Sequence, residues 1–135
     1  MTNLLPRHHG GYVPYFLLFE GVAALIHFTI CYFSAPRKAL VSFRGPEAPV
    51  PHGLTARLYA MQSMYAGVIR LHAAYNITEP LAYNLGILSV AGAFLLHFNE
   101  LVVFKTSKPQ DAIAPFVLVG LGSVWMILQR GFYVS

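Results

Sequence analysis

Residues 13–33 read VPYFLLFEGVAALIHFTICYF, an apolar run broken by only two ionisable side chains, Glu20 and His27. A helix crosses a bilayer when about 20 mostly apolar residues satisfy their backbone polar groups within the segment. Pro14 stands near the start, where a helix tolerates proline, and Pro36 follows Ser34 and Ala35, where the helix must stop. The run is longer than the roughly 7–15 apolar residues of a signal peptide, and no A-x-A cleavage site follows it. It reads as a retained membrane helix.

The rest of the chain agrees with that environment. Of 135 residues 56% are hydrophobic and only 10% charged, against roughly 25% charged in an ordinary soluble domain. The net charge of +4 comes from nine Lys and Arg spread without a basic run, which excludes nucleic acid as a partner and leaves the lipid bilayer. A single cysteine, Cys31, excludes an intrachain disulfide. Three further stretches, about 54–75, 81–104 and 113–129, have span length, and the connections between them are short. The expectation is one domain over 1–135: an all-α integral membrane protein folded as a four-transmembrane-helix bundle, its last three helices antiparallel neighbours.

Ionisable groups inside such a bundle mark candidate sites, since each costs about 2.5–3.5 kcal/mol at the centre of a membrane helix. Glu20 and His27 lie seven residues apart, two turns along one face, and Gly21, Ala23 and Ala24 between them allow close approach of another helix. His97 and Glu100 share a face of the third stretch by their spacing of three. Gln62 and His72 fall along one side of the second, with Arg70 beside them and Arg57 near its start. Arg57 and Glu100 are expected at one membrane interface, either as an ion pair or each snorkelling towards the headgroups, and His27, His72 and His97 to hydrogen-bond between helices. If the bundle self-associates, the Glu20 and His27 face is the one expected to meet its twin. Aromatic residues at span ends, among them Tyr12, Tyr75, Tyr83, Trp125 and Tyr133, read as interfacial belts. No GxSxG, GxGxxG, HExxH or phosphate-binding glycine loop is present, and neither a metal nor a cofactor is expected.

Several short segments in order resemble the ergosterol biosynthetic protein 28 family. They are Gly11-Tyr12-Val13-Pro14, Leu54-Thr55-Ala56-Arg57, Val68-Ile69-Arg70, His97-Phe98-Asn99-Glu100-Leu101, Phe104-Lys105-Thr106 and Val124-Trp125-Met126. The resemblance covers nearly the whole chain and implies a multi-pass protein of the endoplasmic-reticulum membrane. It further implies a non-catalytic scaffold that tethers the sterol C-4 demethylation enzymes: methyl oxidase, 3-dehydrogenase/decarboxylase and 3-ketoreductase. Small residues at Ser63 with Gly67 and Ser89 with Ala93 suit such a role by letting helices pack.

The chain departs from the family pattern at Leu58-Tyr59-Ala60-Met61-Gln62-Ser63, where threonine, glycine and tryptophan are replaced, and in carrying Glu20, His27, Gln62 and His72. Those extra groups support a second expectation, a diverged fungal member acting as a cofactor-free isomerase or cyclase on a lipophilic terpenoid or polyketide. In it Glu20 donates a proton and His27, His97 or Glu100 accepts one, while Arg57, Gln62, Arg70, His72 and Asn99 face the substrate or a partner.

Overall fold

Proline punctuates the chain. Pro14, Pro36, Pro80 and Pro109 each fall in the first turn of a helix, where the missing N–H removes no bond. The structure, a computed structural model, describes residues 4–135. Its helices are α1 (Val13–Phe33), the single turn α2 (Pro36–Ala39), α3 (Gly53–Tyr75), α4 (Pro80–Phe98) and α5 (Pro109–Tyr133). α4 runs on through a π-helical turn, Asn99–Val103, closed by the Phe104 N–H donating to the Asn99 carbonyl at 2.8 Å. The His52 ring nitrogen Nδ1 opens α3 by accepting from the Leu54 N–H at 3.2 Å.

α1 has the bounds expected from its sequence, whereas α5 begins four residues before the anticipated start at 113 and ends four after the anticipated 129. Asp111 in its first turn and Arg130 in its last both oppose the helix dipole favourably, and Pro115 is accommodated inside it.

The expected four spans are corrected to three. α1, α4 with its π turn, and α5 are long and apolar enough to cross a membrane, with mean hydropathies of 1.8, 1.6 and 1.9. α3 has the length, with 23 residues, but is not among them. Its run carries Arg57, Gln62, Arg70 and His72, and two arginines alone would cost about 5–7 kcal/mol on insertion scales if left unpaired at mid-membrane. The polar helix is instead held against α1 on one side and α4 on the other. The protein is thus an all-α bundle with three membrane-spanning helices and one polar helix packed among them.

Small residues set the closeness of that packing. A side chain at Gly21 would meet the Leu71 side chain at 2.8 Å, and one at Gly67 would meet the Gly21 carbonyl oxygen at 3.0 Å, so α1 and α3 touch backbone to backbone. At one end of the bundle a core of Val13, Leu17, Tyr83, Val90 and Met126 joins α1, α4 and α5. The Tyr83 hydroxyl donates to the Met126 carbonyl at 2.7 Å, and the Val13 N–H donates to the Tyr133 hydroxyl at 3.3 Å. Tyr83 and Tyr133 are therefore buried core residues and not part of an interfacial belt, while Tyr12 and Tyr75 are exposed as a belt requires. Outward from the spans, Phe19, Leu88, Leu121 and Leu128 are each at least 60% exposed, a surface suited to lipid tails.

The proline-rich connection 34–52 is strapped to the α4–α5 turn. The Gly45 N–H donates to the Thr106 carbonyl at 2.7 Å and the Glu47 N–H to the Lys105 carbonyl at 3.2 Å. Gly45 lies so close to the Lys105 and Thr106 backbone that a methyl group there has no room. Gly45→Ala is expected to cost about 1–3 kcal/mol as an overpacked contact. Limited proteolysis in detergent checks it, with faster cleavage in 34–52 as the expected outcome.

Candidate functional site

Glu20 on α1 does not stand alone in the bundle. Arg70 of α3 donates from Nη1 to Glu20 Oε2 at 3.2 Å, and the two side chains are only 8% and 6% exposed, Glu20 first. The same guanidinium reaches α4, donating from Nη2 to the Ser89 carbonyl at 2.9 Å and from Nε to Ser89 Oγ at 3.3 Å. Ser89 Oγ in turn donates to the Gly86 carbonyl at 2.8 Å. One planar fork thus joins three helices, a geometry that suits arginine and not lysine. The fork also explains how α3 carries a charge between apolar helices: the carboxylate of a neighbouring helix neutralises it.

A turn or two further along α1, His27 Nδ1 lies 2.9 Å from Ser63 Oγ of α3, and Cys31 Sγ lies 3.3 Å from His27 Nε2. The Cys31 thiol donates to the Ala39 carbonyl at 3.5 Å. A consistent proton arrangement has Ser63 donating to Nδ1 and Nε2 donating to sulfur. The Tyr59 ring meets His27 edge-on, centroids 5.1 Å apart, and packs likewise on Phe43 of the 34–52 connection at 5.0 Å.

Between the helices lies a cavity of about 290 Å³, with Ser89 and Cys31 behind its wall and not on it. Glu20, His27, Gln62, Ser63, Arg70 and His97 all contribute to its wall. His97 differs from the others, because its Nδ1 is buried without a partner; among the described residues only Ser107 Oγ shares that condition. The expectation of interhelical hydrogen bonds holds for His27 and fails for His97.

Of the anticipated acid–base set, the structure brings Glu20, His27 and His97 together and leaves Glu100 out. Glu100 faces a second cavity, of about 340 Å³, beneath the 34–52 connection. There its carboxylate accepts from the Thr106 hydroxyl, and its carbonyl accepts the Thr106 N–H at 2.8 Å. The spacing of three from His97 misleads because residues three apart on a helix still differ by about 60° around its axis and about 4.5 Å along it, and Glu100 comes out on the side covered by the 34–52 connection. Arg57 is exposed and makes no ion pair with Glu100; the ion pairs among the described residues are Arg70–Glu20 and Arg44–Asp111. His72 is exposed at the end of α3, where Asn76 Nδ2 donates to its carbonyl at 2.9 Å, and Asn99 is exposed in the π turn. The Glu20 face is covered by α3 of the same chain, which leaves no free surface there for a twin.

Sequence reasoning misses Tyr59, Ser89 and Cys31 as site residues. Cys31 is findable, four residues from His27 on one helix face. Ser89, by contrast, looks in sequence like any small packing residue. Among the described residues no group of three or more His, Cys, Asp or Glu is placed to hold a metal ion.

Fold and site together define a multi-pass helical membrane protein whose central charges are neutralised within the chain. The model of the family described as Erg28 like protein matches residues 13–124, so the chain belongs to that family. It is similar to the ergosterol biosynthetic protein 28 of Candida albicans, 28% identical over 134 residues, 98% of this chain and 96% of that protein. To the protein of the same name from Saccharomyces cerevisiae it is 30% identical over 127 residues, 93% of this chain and 84% of that one. The Gibberella zeae protein of that name is 34% identical over 85 residues, 61% of this chain and 49% of its own length. No solved structure matches. The chain is accordingly a multi-pass protein of the endoplasmic-reticulum membrane.

Proposed function

We propose that this protein is a membrane scaffold that tethers the sterol C-4 demethylation enzymes in the endoplasmic reticulum. The observation that carries the reading, beside family membership, is the Glu20–Arg70–Ser89 clasp. The carboxylate that stands out in sequence as a buried acid is engaged in holding three helices together, so its presence needs no chemistry to account for it. What the molecule offers outward is largely apolar helix surface, and holding sequential enzymes together raises their effective concentration without a catalytic residue.

Affinity purification of the tagged chain from endoplasmic-reticulum membranes tests this. The methyl oxidase, the dehydrogenase/decarboxylase and the ketoreductase are expected to be enriched together. A folded, correctly located bait that enriches none of them contradicts the tether.

The cavity supports a second reading. His97, with its unpartnered ring nitrogen, and His27 are the acid–base pair of a cofactor-free isomerase or cyclase acting on a lipophilic terpenoid or polyketide. Turnover by the purified protein alone, abolished in a folded His97→Leu variant, would support this reading over the tether.

A further inference from the structure

We infer that the two cavities together bind a neutral lipid, a hydrocarbon body ending in one hydroxyl or carbonyl oxygen. The polar end lies in the cavity between the helices and the hydrocarbon beneath the 34–52 connection. Such a site is compatible with a tether and does not depend on one.

Charge restricts the ligand first. The two formal charges on the wall of the inner cavity, Glu20 and Arg70, are bonded to each other at 3.2 Å. A carboxylate or phosphate entering there would bury a charge with no free counter-ion to offset its desolvation. A neutral oxygen meets no such penalty. It also meets a need, because His97 Nδ1 is buried without a partner, and a side chain more than nine-tenths buried is seldom left so. An imidazole offers a donor on one ring nitrogen and an acceptor on the other, so a hydroxyl or a ketone each finds a match there.

Shape restricts it next. The inner cavity, at about 290 Å³, lies at the small end of ligand pockets, which run from about 300 to 1,000 Å³. It accommodates the end of a lipid and not the whole. Tyr59 and Leu96 line both it and the second cavity of about 340 Å³, so the two are neighbours across one wall. The second is mainly apolar, with Leu40, Phe43, Val50 and Leu58 around it, and its one carboxylate, Glu100, is engaged by the Thr106 hydroxyl. For one ligand to place its oxygen at His97 and its hydrocarbon there, the Tyr59 and Leu96 side chains that form the shared wall turn aside.

Photoaffinity labelling of the purified full chain tests the site. The probes are a diazirine-bearing cholesterol, a diazirine-bearing hexadecanol and, as the charged comparison, a diazirine-bearing palmitic acid. Either alcohol is expected to label peptides of α3 and α4 at cavity positions, at least fivefold above the acid, and the two alcohols distinguish a ring lipid from a linear one. Ala93→Phe, which fills the inner cavity, is expected to cut labelling at least fivefold, while Leu88→Phe on the lipid-facing surface leaves it unchanged. His97→Leu keeps the cavity open and removes the ring nitrogens, and it decides the matter if the Ala93→Phe variant does not fold. Labelling that His97→Leu leaves unchanged, or that the acid matches, overturns the inference.

Discussion

Glu20→Met is expected to destabilise the protein by about 3–5 kcal/mol, the cost of leaving one member of a buried ion pair without its partner. The guanidinium left behind stays charged at any pH the protein survives, and its two bonds to Ser89 do not neutralise it. Arg70→Met is expected to cost less, because an abandoned carboxyl can escape its charge by taking up a proton. The double variant Glu20→Met/Arg70→Met removes both charges and fills the space with flexible apolar side chains. It is expected to recover much of the loss, since buried ion pairs replaced by hydrophobic groups are often neutral in stability. Thermal unfolding in detergent of the two single variants and the double variant provides the check as a mutant cycle. Near-additive losses would show that the two residues do not act as a pair.

Gly67→Leu is the second large effect. Ser63 and Gly67 look in sequence like a packing face open to a partner, but the structure fills that face with α1. A Cβ on Gly67 already meets the Gly21 carbonyl and the Leu25 side chain at 3.0 Å, and a leucine adds three further carbons. The two helices must separate, which lengthens the Glu20–Arg70 contact as well. The expected cost exceeds the about 1–3 kcal/mol of ordinary overpacking, because backbone lies on one side of the clash. Gly92, which has open space around it, is the control: Gly92→Ala is expected to be tolerated. Loss of monodisperse protein in the Gly67→Leu variant with retention in the Gly92→Ala variant is the anticipated result by size exclusion. If the Gly67→Leu variant is as stable as the wild type, the tight α1–α3 crossing is wrong.

These two cases mark where the sequence is legible. The bounds of α1 follow from Pro14, Pro36 and the unbroken apolar run between them. Gly21, Ala23 and Ala24 announce a close helix contact, and Gly21 makes one. Local signals suffice when cause and effect lie within one helix. The partner of Glu20 lies fifty residues away, and no periodicity links the two, so neither the clasp nor its neutralisation of α3 can be read in advance. The same blindness produces the fourth span: α3 has the length and the small residues of a membrane helix, and only its polar residues, Arg57, Gln62, Arg70 and His72, argue otherwise. Glu100 is misplaced for a different reason: a spacing of three leaves two side chains about 60° apart around the helix, and the proline-rich connection that packs over Glu100, with Thr106 as its partner, is not announced by any local pattern. Tyr83 and Tyr133 resemble belt residues by their position near helix ends, whereas their hydroxyls find carbonyl and N–H partners in the core.

In the proposed tether the buried polar residues hold the fold, and the outer surface holds the enzymes. Capture of the three sterol C-4 demethylation enzymes by the Glu20→Met/Arg70→Met variant, beside the wild type, tests it most directly. Capture of all three at the wild-type level by the folded, charge-free variant is the expected result. A folded double variant that has lost capture, or a wild type that captures none, would contradict it.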